Sequence, residues 1–476
     1  MNAQNEMPTD IAAKELPSDW QLSTLGDLLK VRNGFAFKSK DYQEVGALLI
    51  RQSNLGGSRV NVKKAKYLPE SYLEEYRDYL VKKGDILIGM SGSIGKLCTY
   101  DRNEPALQNQ RTGLLLFKDA EQKPWVWHYL PLLEKELLKV GKGVAVQNIS
   151  AIQIESFPIP VAPLAQQKRI VAEIEKQFSR LDEAVANFKR IKANLKRYKA
   201  AVLKSAVEGK LTEAWRKAHP DVESASTLLE RILTDRRAKW KGKGKYKDTP
   251  VPDTQNLPTL PNAWTWSSVE TLCSDIVDCP HSTPKWEATG RACLRTTEFR
   301  PGRLVLTDVR FVSQSTYEKR IQRLKPREND IVYSREGGIL GIACMIPSGV
   351  EPCLGQRMML LRSHALFTPN LLMYWLNSSW TLARVRSLTG GSASPHLNVG
   401  EVKLFPVPLA PLAEQEQIVS EVERRLSVIE ALEATVEANL TRASRLRQSI
   451  LSTAFSGRLT VSESKITKQT NNSIAH

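Results

Sequence analysis

The feature that most constrains this chain is that it repeats itself. Leu16-Pro-Ser-Asp-Trp20 returns as Leu260-Pro-Asn-Ala-Trp264, 244 positions later. Leu49-Ile-Arg51 returns as Cys293-Leu-Arg295, Gly84-Asp-Ile-Leu87 as Asn329-Asp-Ile-Val332, and Gln110-Arg111 as Gln356-Arg357. Phe157-Pro-Ile-Pro-Val-Ala-Pro-Leu-Ala165 comes back nearly unchanged as Phe405-Pro-Val-Pro-Leu-Ala-Pro-Leu-Ala413, now offset by 248. That offset holds to Gly209-Lys-Leu-Thr212 and Gly457-Arg-Leu-Thr460. A period this long is a duplicated domain rather than a solenoid unit. Each half has a divergent part of about 150 residues, an ordinary domain length, followed by a closely matched part. Two halves that keep a scaffold while their globular faces diverge are built to bind two different things in one geometry.

Past Pro163 and Pro411 the pattern becomes helical, with proline placed where a helix can begin but not be extended backwards. In the first half the apolar stripe runs Ile174, Phe178, Leu181, Val185, Phe188, Leu195 and Val202, with Lys192 interrupting it. In the second it runs Val422, Leu426, Ile429, Leu432, Val436, Leu440, Leu446 and Ile450. Spacing that alternates by three and four is a coiled-coil seam. A single helix over 167–209 would span roughly 60 Å at about 1.5 Å per residue, longer than its own domain is wide. It must therefore leave that domain, and its repeat copy is the partner at hand, antiparallel given the connectivity. A basic stretch, Lys189, Arg190, Lys192, Lys196, Arg197, Lys199, Lys204 and Lys210, lies on the far half of the first helix. It reads as a solvated face or as a contact to phosphate or an acidic partner.

Lysine and arginine number 68 against 51 acidic residues, a net charge of +17. Such a surplus speaks to partners, and the usual ones are nucleic acid and anionic membranes. No apolar run approaches the roughly 18 residues of a spanning helix. The first residues, Met1 to Lys14, lack a signal peptide's basic start and apolar stretch. The six cysteines (Cys98, Cys273, Cys279, Cys293, Cys344, Cys353) form no C-x-x-C pair, so a zinc knuckle or redox motif is unsupported. Cys279-Pro-His281 is too little for a metal site. A reduced, cytoplasmic protein with no membrane partner is expected.

Between the halves, Ser224 or Ser226 can cap a short helix through Leu228–Leu233, and Lys239-Trp-Lys-Gly-Lys-Gly-Lys-Tyr-Lys247 reads as a basic linker. The expected organisation is a tail over 1–15, a domain over 16–165, a helix over 166–212 and a connector over 213–258. A second domain over 259–411, a second helix over 412–460 and a polar tail over 461–476 complete it.

Two divergent domains, each closed by F-P-[IV]-P-x-x-P-L-A and a long helix ending G-[KR]-L-T, resemble the specificity subunit of type I restriction–modification enzymes. Gly209-Lys-Leu-Thr-Glu-Ala-Trp-Arg216 and the Ser224-to-Trp240 stretch are also similar to that family's central connector. The resemblance runs from Leu16 to Thr460, with one departure: no second tryptophan-containing extension follows Thr460, so any contact it makes is expected to be absent or supplied by the first copy. The resemblance implies an α+β (mixed α/β) fold in which two tandem target-recognition domains are separated by two long helices forming an antiparallel coiled coil. It further implies that each domain reads one half of a split, asymmetric site in double-stranded DNA, with the coiled coil setting the gap. Two modification (methyltransferase) subunits would methylate one adenine per half-site, and up to two restriction (motor-nuclease) subunits could join. S-adenosylmethionine, ATP and magnesium would sit on those partners, with no cofactor bound by this chain.

The residues agree with a non-catalytic role. There is no D/N-P-P-Y/F motif to hold a flipped adenine. Gly89-Met-Ser-Gly-Ser-Ile-Gly95-Lys96 misses the phosphate-loop pattern by one residue in glycine spacing and by Leu97 in place of Ser/Thr. The histidines (His128, His219, His281, His364, His396, His476) have no nucleophile elbow nearby. Glu401-Val-Lys403 resembles half a nuclease motif, but its counterpart Gln153-Ile-Glu155 makes it structural. Two rivals stay open: a methyltransferase or nuclease of unfamiliar motif, and a DNA-binding regulator that needs no other subunit.

Base readout needs Arg or Lys against guanine and Asn or Gln against adenine. Candidates in the first domain are Arg51, Gln52, Asn54, Lys96, Gln110 and Arg111. Their counterparts in the second, in the same order, are Arg295, Thr296, Thr297, Arg335, Gln356 and Arg357, with His396 in the polar loop Ser392–His396. Residues kept between domains that read different sequences fit phosphate or scaffold better than bases, which assigns Arg51/Arg295 and Arg111/Arg357 there. Gln52, Asn54, Thr296 and Arg335 are the specificity candidates.

Overall fold

The computed structural model describes residues 16–459 except 64, 142–147, 241–243 and 391–394. Both expected tails, Thr460, the middle of the basic linker and Ser392–Ser394 lie outside the described residues. The chain forms two compact units. One holds the residues up to Lys189 together with those from Glu437, and the other is Arg190–Val436. No helix among the described residues is long and apolar enough to cross a membrane.

In the first unit one antiparallel sheet runs Leu29–Asn33, Thr112–Phe117, Ile86–Gly89, Leu97–Thr99. A second runs Lys66–Leu68, Ala47–Ile50, Ala106–Gln108, Leu80–Val81. The strand Ile86–Gly89 is buried throughout and does not alternate between buried and exposed, because the sheet is covered on both faces. Ile86, Ile88 and Leu115 enter a core built on the helix Lys123–Gly141, while Leu87 and Leu114 enter another with Cys98 and Tyr100. The second unit keeps this plan and enlarges it. Its main sheet has six strands, in the order Cys273–Asp278, Met358–Ser363, Ile331–Ser334, Ala343–Met345, Gly302–Leu304, Phe299–Arg300. In the connector, Ser224 caps a helix over Ala225–Ala238 by accepting from the Thr227 amide.

Both long helices form, Leu164–Val207 and Leu412–Phe455, each 44 residues. They pair antiparallel. In the first unit Asp182 bonds Arg447, whose guanidinium covers the Phe178 ring at 4.2 Å. In the second unit Lys199 meets Glu430 at 3.7 Å, and Thr212 Oγ1 donates to Glu414 Oε1 at 2.7 Å. The basic stretch from Arg190 onward thus lies along the glutamate-rich start of the second helix, so part of its counter-charge is intramolecular.

The seam needs one correction. Val422, Ile429, Val436 and Ile450 are buried, with Ala443 at the remaining seven-residue step, whereas Leu432 and Leu446 are 47% and 48% exposed. The buried line therefore follows the seven-residue steps from Val422, and Leu432 and Leu446 lie beside it. On the first helix Ile174, Leu195 and Val202 are buried, and Phe178, Leu181, Val185 and Phe188 half-buried.

The ends of the helices explain the repeated motifs. Gly209 and Gly457 terminate them in the left-handed conformation that glycine allows (φ +68° and +71°). A Cβ on Gly209 would meet Pro261 at 2.5 Å, and one on Gly457 would meet Pro17 at 2.3 Å. Each G-[KR]-L-T therefore packs on the L-P-x-x-W of the other repeat. In the second unit Glu414, fully buried, accepts from Thr212 Oγ1, from Trp264 Nε1 at 2.8 Å and from the Arg216 guanidinium. In the first unit its counterpart is neutral: Gln166 accepts from Trp20 Nε1 at 3.0 Å. The helix position carries a carboxylate where the connector supplies Arg216, whereas in the first unit the Gln166 amide donates to Asp19. The end of the second helix also completes the first unit's core, with Phe455 edge-on to Trp125 at 4.5 Å and to Tyr129 at 5.0 Å.

Candidate nucleic-acid interface

Each unit gathers its candidates on one set of turns at the end of the main sheet. In the first, the Met90 amide donates to Arg111 O, the Gln110 amide to Phe35 O, and Ser93 Oγ to Gln52 O at 3.3 Å. These bonds bring Arg51–Asn54, Met90–Lys96 and Asn109–Arg111 together. Lys96, Gln110 and Arg111 are exposed. Gln52 is half-buried over Gly92, with its Oε1 unsatisfied. Arg51 lies over the Tyr42 ring at 5.8 Å. Asn54 faces inward at 2% exposure. Its Oδ1 accepts from the Arg51 amide and its Nδ2 donates to Asn61 O, so its polar atoms are spent shaping the turn.

In the second unit the Arg335 amide donates to Arg357 O at 3.0 Å, the Gly337 amide to Pro395 O and the Leu397 amide to Arg335 O. Gln356 donates its amide to His281 O and accepts from Thr283 Oγ1 at 3.1 Å. Arg357, Thr297 and His396 are exposed, with Thr296 half-buried. Arg295 is bound to Glu298 and to Asp308 O, a scaffold role. Arg335 is turned inward, forking onto Asp278 at 2.8 and 2.9 Å with a further bond to Leu397 O. A guanidinium so engaged holds loops together and is not free to read a base.

The backbone bonds also correct the pairing of Lys96 with Arg335. Gly89 N bonds Lys96 O where Ser334 N bonds Ile342 O, and Met90 N bonds Arg111 O where Arg335 N bonds Arg357 O. The second loop is one residue longer, so Arg335 matches buried Met90, and Lys96 matches Ile342. The Asp278–Arg335 pair is a charged insertion into an otherwise apolar position, and Asp278 is the residue the sequence reading missed. Changing Arg335 to Met is expected to cost about 2 kcal/mol by leaving Asp278 with the Cys279 amide and the exposed His281 in place of its guanidinium fork, and adding Asp278→Asn should recover most of it. Urea unfolding of the single and double variants measures both.

Among the described residues no three His, Cys, Asp or Glu cluster as metal ligands. All six cysteines are free and buried, and burial pushes the Cys98 and Cys344 thiols up to about 12, which keeps them protonated.

Comparison with known proteins accords with this arrangement. The family model described as the type I restriction modification DNA specificity domain matches residues 17–197 and 300–442. The EcoBI specificity subunit of Escherichia coli is 26% identical over 449 residues, covering 93% of this chain and 86% of its own. The EcoKI specificity subunit of Escherichia coli K12 is 24% identical over 469 residues, covering 94% and 91%. A chain solved in work on complex assembly and conformational transition of the type I R-M system shares the fold, with a TM-score of 0.61 at 16% identity over 93% of this chain and 99% of that one. With two matched regions and a recognition-type domain in each unit, the chain belongs to the family of type I restriction modification DNA specificity subunits, whose general role is recognition of a DNA target.

Proposed function

We propose that this chain reads a bipartite, asymmetric DNA site, one half per domain, and itself carries no catalysis. The observation that carries the reading is the pair of turn clusters, built by the same backbone bonds but differing in accessible side chains at matched positions: Gln52 against Thr296, Ser53 against Thr297, Lys96 against Ile342. One scaffold with two chemistries suits two unlike half-sites. Two modification subunits would dock on the helices and methylate an adenine in each half, and up to two restriction subunits would complete the nuclease. S-adenosylmethionine, ATP and magnesium would belong to those partners. Val428 and Leu432 on the second helix, and Ile191 and Tyr198 on the first, are apolar side chains left 42–54% exposed within one unit, a surface suited to a partner helix.

The test is a map of adenine methylation in the host with and without this chain, its modification partner left intact. The expected result is loss of one split, asymmetric motif. Unchanged methylation in a system shown to be expressed would reject the reading.

A further inference from the structure

Arg357 stands apart from the other arginines around it. Its turn is locked from three sides. Arg320, itself buried, donates to Leu354 O at 2.8 Å, to Gly355 O at 3.3 Å and to Ser282 O. Gln356 ties the turn to His281 and Thr283, and the Arg335 amide holds Arg357 O. Within that lock Arg357 adopts φ +68°, a left-handed conformation that is costly for any residue with a Cβ. The guanidinium lies beside Gly337, where an added Cβ would come within 3.2 Å of Nη1. Among the described residues no acceptor binds it, whereas Arg295, Arg320 and Arg335 are all spent on internal acceptors.

Arg111, the matched residue of the first unit, is exposed on the corresponding turn but lies outside the left-handed region. The residue type is kept between the domains and the aim is not. A contact to phosphate tolerates many approach directions, since phosphates line the whole duplex. A planar fork that must meet O6 and N7 of one guanine needs a fixed origin. Resting on the half-site reading above, we propose that Arg357 is a specificity-determining residue that reads a guanine in the half-site of the second domain, held on target by its strained turn and by the space over Gly337.

The experiment uses the full chain with its modification subunits. The methylated motif is mapped first for the wild type, then for Arg357→Ala, Arg357→Lys and Gly337→Ala. In Arg357→Ala, one guanine of one half-site should become degenerate, with roughly 5- to 150-fold loss of discrimination there, while the other half-site is unchanged. Lysine, a point charge without a fork, should not restore it. Gly337→Ala should relax the same position by displacing the guanidinium. Uniformly weaker methylation with an intact motif, together with a salt slope reduced by about one, would make Arg357 a phosphate contact and overturn the proposal, as would a motif without guanine in either half. A wild type with no motif would instead overturn the functional reading, and Arg357's role with it.

Discussion

Phe455→Ala is expected to destabilise the first unit by about 3–5 kcal/mol while leaving the second intact, the range for an aromatic removed from a packed core. Phe455 is fully buried and touches two aromatic rings of the helix Lys123–Gly141. Beside it Ile450, Leu451 and Ala454 enter the same core. The effect should be local. Hydrogen exchange on the full chain should show protection lost over Lys123–Gly141 and Pro158–Val161 and kept over Ile331–Ser334. Equal loss in both units, or none, would mean that the last turn of the second helix is not part of the first core.

Glu414→Ala carries the second large effect, about 3 kcal/mol, because breaking one partner of a buried pair leaves the other uncompensated. Arg216 would keep only its bond to Gly209 O at 2.9 Å, and Trp264 Nε1 and Thr212 would lose their acceptor. Glu414→Gln imitates Gln166 and should cost less, since an amide oxygen can still accept from the indole. Pairing it with Arg216→Met should recover most of the remaining loss. Urea unfolding, with exchange followed over 207–218, tests the series. A Glu414→Ala chain within about 0.5 kcal/mol of wild type would show that the cluster contributes little.

The duplication and the two helices were legible because repeated short motifs and a seven-residue stripe are local signals, and the antiparallel sense followed from the order in which the chain connects them. What escaped was set by tertiary context. Ala443 and Leu446 cannot be ranked as seam residues by hydrophobicity, which favours the wrong one. The extra residue in the Ser334–Ile342 loop shifts the correspondence between halves, so Arg335 was matched with Lys96 rather than Met90. Asn54 has the right chemistry for adenine, yet its amide is consumed within its own turn. The strand pair Phe299–Arg300 and Gly302–Leu304 widens the second sheet where the first has an isolated bridge, Arg59 to Thr99, and no repeated motif announces it. The left-handed turn at Arg357 gave no sign, since arginine is not a residue that advertises such backbone.

That the first core is finished by Phe455 has a consequence for synthesis. When Ile174 has left the ribosome, the pocket around Trp125 and Tyr129 still lacks its last wall, and about 280 residues remain to be made. At roughly 5–20 residues per second, the nascent domain waits on the order of 15–60 s with that apolar surface uncovered. The second unit needs no such wait, because every residue from Arg190 to Val436 belongs to it in one stretch. The unit synthesised second is therefore the first able to finish folding, and the earlier one keeps that apolar wall open until Phe455 has been made.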